Sequence, residues 1–127
     1  TGYSIYGLHE NYTPQYIFEE MEGSENLKFT LFEDLEKDHF STFSEALNFV
    51  NSEKFGLELD CDGIANFPSS AVSPIGFSLN ETRLLLKRAA KEKNCTYLHI
   101  CEASENGSFP TGKALSYFIT DFIKAYE

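Results

Sequence analysis

No apolar run in this sequence approaches the roughly 20 residues that a membrane-spanning helix needs. The first residues carry neither a basic patch nor a signal-like apolar segment, so a soluble protein is expected. Basic side chains are scarce as well: 10 Lys and Arg stand against 20 Asp and Glu, a formal charge of −10. A field of that sign repels nucleic-acid backbones and anionic membranes, and no basic cluster offsets it. The densest mixture, "LLLKRAAKEKN", reads as the solvated side of a helix, so neither nucleic acid nor membrane is an expected partner. Cysteine is limited to Cys61, Cys95 and Cys101, with no CxxC spacing. An odd, scattered trio argues against a disulfide framework and a cysteine zinc site, and fits a reducing cytoplasm. The triplets "NYT", "NET" and "NCT" are then chance matches to a glycosylation pattern.

What is present suffices for one packed core. The 127 residues are 42% hydrophobic and include 12 Phe and 7 Tyr, which argues for a folded chain forming a single domain over residues 1–127. The chain opens "TGYSIYGLHE", without Met and already within a strand-like alternation, and is therefore expected to be a piece of a longer protein.

The periodicity predicts eight elements. "YSIYGL" (Tyr3 to Leu8) reads as a strand. "TPQYIFEEM" reads as a helix with Thr13 as N-cap and Pro14 in the first turn. "LKFTLF" is a second strand. "STFSEALNFVN" is a helix capped by Ser41 or Thr42, with Phe43, Ala46, Leu47 and Val50 at helical spacing. "FGLELD" is a third strand. "SLNETRLLLKRAAKEKN" is an amphipathic helix starting at Leu79 or Asn80. "CTYLHIC" is a fourth strand, and "TGKALSYFITDFIKAY" a closing helix. The order βαβαβαβα with short links implies an α/β fold, a mostly parallel sheet covered by helices in three α/β/α layers. The one long irregular stretch runs from Gly63 to Phe77, and loops of that length are often functional.

Ligands of open parallel sheets bind beyond the carboxyl ends of the strands. Asp60 and Asp62 fall where the third strand runs out, and Glu102 where the fourth does, so three carboxylates meet on one rim if those strands are neighbours. Residues two apart on an extended chain share a side. Asp60 and Asp62 can thus face a hard cation. The alternative is a turn in which Asp62-Gly63 makes the bend and Asp60 caps a backbone amide. Cys61, between them, is expected to face the core as a small hydrophobe. His9 and His39 read as surface residues, His39 following Asp38 with no second Asp beyond it, and His99 as a satisfied core histidine. Lys113 in "TGK" lacks the upstream glycine of a phosphate loop. Ser69 and Ser70 have no histidine or acid placed to activate them.

Two family patterns compete for the "DCDG" segment. The haloacid-dehalogenase-like phosphatases want a Thr or Val after the glycine, where this chain has Ile64, and a later pair of acids, which is absent. The stretch "ELDCDGIANFPSSAVSPIGFSLNETRLLL", followed by "YLHICEAS", instead resembles the late signature of the ureohydrolases: arginase, agmatinase and formimidoylglutamase. "TGKALSYFITDFIKAYE" looks like the final helix of formimidoylglutamase-like members. The resemblance covers the C-terminal two-thirds of the chain, and "IYGLHENYTPQYI" more loosely.

What the resemblance implies is specific. Asp60 matches the aspartate that bridges two manganese ions, and Asp62 the one that holds the second ion. Glu102 matches the acid that binds the amidine or guanidine group of the substrate, and Ser73, before Pro74, the hydroxyl residue of the substrate loop. A manganese pair activates a water toward the amidino carbon, and a carboxylate pairs with the planar cation. This sequence departs from the pattern at Ala65 and Val72, and the family's upstream histidine and "DxHxD" ligands have no counterpart. The chain is thus expected to be the C-terminal part of an arginase-fold protein, a manganese-dependent amidinohydrolase with formimidoylglutamate the favoured substrate. Alone it should bind manganese weakly, if at all, and catalyse nothing. The alternatives are a non-catalytic arginase-like domain and a magnesium-dependent phosphatase of the DxDG type. A truncated sheet exposes an apolar edge, which leaves a homo-oligomer open.

Overall fold

The computed structural model describes residues 2–35 and 39–126, and Asp38 lies outside them. All eight expected elements form, in the expected order, and both strand pairs are parallel. The chain divides into two compact units, one through Lys54 and one from Phe55 onward.

In the first unit, β1 (Tyr3–Leu8) pairs with β2 (Leu27–Leu31), setting Tyr3 opposite Leu27 and Ile5 opposite Phe29. The helices are α1 (Gln15–Glu22) and α2 (His39–Val50). Phe43, Ala46 and Leu47 of α2 are buried, as their spacing predicts, together with Met21 of α1. The Phe43 ring meets Tyr6 of β1 edge-on, with centroids 5.0 Å apart. Two helix starts differ from expectation. Pro14 occupies the N-cap position of α1. The Thr13 hydroxyl instead donates backward to the His9 carbonyl at 3.1 Å. The second difference is in α2, which is already helical at His39, ahead of Ser41 and Thr42. The Thr42 hydroxyl donates to the His39 carbonyl at 3.2 Å, an internal bond of the first turn rather than a cap.

In the second unit, β3 (Phe55–Asp60) runs beside β4 (Cys95–Cys101), pairing Leu57 with Leu98, Leu59 with Ile100 and Asp60 with Cys101. Alternation puts Leu57, Leu59, Leu98 and Ile100 on one face. There they pack with Leu86 of α3 (Leu79–Ala90), Phe118 of α4 (Thr111–Ala125), Ile64 and Phe67. Helix α3 starts where expected. Ser78 caps it by accepting the Glu81 N–H at 3.0 Å, a favourable placement of an acid in the first turn. Asp121 of α4 is 6% exposed. It is joined to α3 by Arg83 (2.6 Å) and Lys87 (3.4 Å). The other face of the strand pair carries Gly56, Glu58, Tyr97 and His99. His99 is exposed there, its Nδ1 3.8 Å from a Glu58 carboxylate oxygen, so it is not the core histidine expected. The Tyr97 ring lies over Gly56 so closely that a Cβ at that position would come within 1.9 Å of it. Among the described residues no helix is long and apolar enough to cross a membrane.

Candidate metal and substrate site

The apolar run of β3 stops at Asp60, and the chain turns at once through a single 3-10 turn, Cys61–Gly63. The carboxylate of Asp60 accepts the Asp62 backbone N–H at 2.9 Å. The amide-capping role weighed against the metal reading is therefore present, and the acids do not leave a continuous extended strand. Cys61, fully buried as expected, anchors the turn in the core. Burial pushes its thiol up to about 11, so it is an inert apolar side chain here.

Beyond the turn, the long loop is held by backbone bonds. Ala65 N donates to Phe77 O and Phe77 N to Gly63 O, each at 2.9 Å. Gly76 permits that approach, since a Cβ there would sit 2.5 Å from the Gly63 carbonyl oxygen. Further along, Ser69 bridges antiparallel to Ala103, Ser70 N donates to Glu102 O at 3.2 Å, and Ser104 N to Pro68 O at 2.9 Å. The loop is thus stitched to the segment leaving β4. Glu102 begins that segment with φ of 65°, the left-handed region that side-chain-bearing residues seldom adopt.

These constraints bring three of the four anticipated site residues together. Asp62 accepts the Ala71 N–H at 3.0 Å and lies 3.2 Å from the Ser70 hydroxyl. The same hydroxyl donates to the Glu102 carboxylate. Asp60 lies close enough to Asp62 and Glu102 to feel both charges. Burial pushes the Asp60 carboxyl up; the Asp62 N–H partly offsets this, and the two negative neighbours add to it. Asp62 moves the other way. Burial opposes its charge, but the nearby hydroxyls of Ser69 and Ser70 and the Ala71 N–H outweigh that and hold it below the usual carboxylate range.

Ser73 stands apart from this group. Its hydroxyl donates to the Ile75 carbonyl at 2.9 Å and accepts the Ile75 N–H at 3.1 Å, closing a local turn around Pro74. The sequence places no acid beside Ser70, and the structure corrects this: its hydroxyl sits between the Asp62 and Glu102 carboxylates, which meet it only through the fold. His9 is less exposed than expected. It stacks on Phe32 with ring centroids 5.0 Å apart, and its Nδ1 lies 3.8 Å from Glu33. His39 is likewise partly buried.

Asp60 and Asp62 offer oxygen donors of the kind that hard divalent cations prefer, but two carboxylates fall short of an octahedral set. Among the described residues no group of three or more His, Cys, Asp or Glu is arranged to hold a metal ion. The donors fit part of a manganese or magnesium site.

No protein-family model and no curated protein sequence matches this chain. Solved structures do. A Trypanosoma cruzi formiminoglutamase with manganese superposes over 97% of this chain with a TM-score of 0.86 at 12% identity, covering 44% of its own length. The Bacillus subtilis formimidoylglutamase superposes over 96% with a TM-score of 0.83 at 20% identity, covering 40% of its length. The B. subtilis arginase superposes over 97% with a TM-score of 0.76 at 14% identity, covering 43% of its length. The fold is therefore arginase-like, as the resemblance implied, and this chain spans less than half the length of the structures it matches.

Proposed function

We propose that this chain is the C-terminal part of a manganese-dependent amidinohydrolase that cleaves C–N bonds of linear amidines, with formimidoylglutamate the favoured substrate. The observation that carries the reading is the meeting of Asp60, Asp62 and Glu102 on the rim of β3 and β4, in a fold shared with formimidoylglutamase and arginase.

In this reading Asp60 and Asp62 hold manganese, which supplies an activated water at neutral pH when bound. The hydrogen bonds that keep Asp62 ionised suit that task, because only the carboxylate form is a ligand. Glu102, exposed beyond β4, pairs its carboxylate with the planar cationic end of the substrate. Ser73 shapes the substrate loop through the turn it closes on Ile75. This chain alone supplies too few donors for a binuclear site, so it binds manganese weakly and is inactive by itself. The three cysteines stand free, which supports a reducing compartment such as the cytoplasm.

A phosphatase reading would make Asp60 the nucleophile. The lack of two adjacent acids anywhere after Asp62 to hold magnesium argues against that reading. The test is an assay of the whole protein with manganese. Formamide release from formimidoylglutamate, or urea release from a guanidino substrate, is expected, and Glu102→Gln should weaken substrate capture. Failure to release either product would refute the proposal. Phosphate release from an aryl phosphate, abolished by Asp60→Asn, would support the phosphatase instead.

A further inference from the structure

We infer that Ser70 is a positioning residue for this chemistry, fixing the spacing between Asp62 on the metal side and Glu102 on the substrate side; the inference rests on the function proposed above. The Ser70 hydroxyl lies 3.2 and 3.4 Å from the two Asp62 carboxylate oxygens and donates to Glu102. These residues follow two neighbouring strands, one in the turn after β3 and one in the segment after β4. One hydroxyl carries one proton, which it gives to one carboxylate at a time or shares between the two, so it sits as the donor between two acceptors that would otherwise repel each other.

The hydroxyl is not needed to hold the loop. The Ser70 N–H bond to the Glu102 carbonyl, the Ser104 N–H bond to Pro68 and the Ala71 N–H bond to Asp62 all remain when it is removed. Ser70 is itself exposed, so truncating it leaves no core cavity. What truncation removes is the lateral restraint on the Glu102 side chain. A cation paired with Glu102 is then still captured, but at the wrong distance from a water activated beside Asp62. Displacements of about 1 Å can cost on the order of 100-fold in rate. The expected signature is therefore a fall in kcat with little change in KM.

The experiment uses the whole protein with manganese and formimidoylglutamate. Ser70→Ala is expected to lower kcat on the order of 100-fold, leaving KM and thermal unfolding near their wild-type values. Ser70→Thr, which keeps the hydroxyl, is expected to restore kcat. A crystal structure of the Ala variant should show the Glu102 carboxylate swung away from Asp62. An unchanged kcat in Ser70→Ala with an active wild type would overturn this inference alone. So would equal losses in the Ala and Thr variants, or an Ala variant in which Glu102 has not moved. An inactive wild type would overturn the proposed function itself, and this inference with it.

Discussion

Asp60 accepts the backbone N–H of Asp62, two residues further on, at 2.9 Å, and the two carboxyl groups are driven in opposite directions by their surroundings. The pair is therefore electrostatically asymmetric. Titrating the side-chain carboxyl carbons by NMR should show Asp60 protonating above the ordinary aspartate value and Asp62 below it. Coincident titration of the two would remove the electrostatic distinction.

The pH dependence of stability follows with a definite sign. Asp62 and Asp121 both have depressed carboxyls in the folded state. Each contributes stability that is present above the unfolded-state value, about 3.9, and is lost as pH falls through the lower folded value. Asp60, raised in the fold, works in the opposite sense: its charge opposes folding, and that penalty is relieved as pH falls through its raised value. Urea unfolding at pH 6 and at pH 3 should show the acid loss dominating. Asp121→Asn should reduce the difference between the two conditions.

Asp121 ties α4 to α3 through two cations. The Arg83 side chain hydrogen-bonds it most closely and Lys87 adds to it, while the Arg83 guanidinium also lies 4.7 Å from the Tyr117 ring centroid. Removing the acid in Asp121→Ala should cost about 1–2 kcal/mol in equilibrium unfolding. That is less than the ~3–5 of a fully buried pair, because both cations keep contact with water.

Manganese binding by this chain should be weak. Calorimetry is expected to give no one-to-one isotherm in the low micromolar range, and Asp62→Asn should abolish what binding there is. A firm low-micromolar isotherm would mean that the chain supplies more ligands than its two aspartates.

Gly56 cannot take a side chain without displacing the Tyr97 ring. Gly56→Ala should destabilise by about 1–3 kcal/mol, typical of inserted volume in a packed place. Pairing it with Tyr97→Ala should recover most of that loss, since the three atoms nearest such a Cβ all belong to the ring. A thermal-melt double-mutant cycle checks this.

The elements were legible because their signals are local. Leu57 and Leu59 alternate, Phe43, Ala46 and Leu47 recur at helical spacing, and Asp60 falls at a strand end. The amide cap of Asp60 was legible too, because it spans two residues. Ser70 was not, since its carboxylate partners lie 8 and 32 residues away and meet only through the pairing of β3 with β4. His99 was misplaced for a related reason. Strand alternation divides residues between two faces but does not say which face the helices cover. Thr13 and Thr42 misled because a hydroxyl near a helix start bonds backward as readily as forward.

The left-handed backbone at Glu102 has a cost. An acidic residue held there forfeits on the order of 1 kcal/mol that glycine would not. Glu102→Gly should therefore yield a chain that melts later while losing the carboxylate that the proposed function assigns to substrate capture. A population selected only for robustness would drift away from glutamate at this position, so stability alone does not account for an acid there.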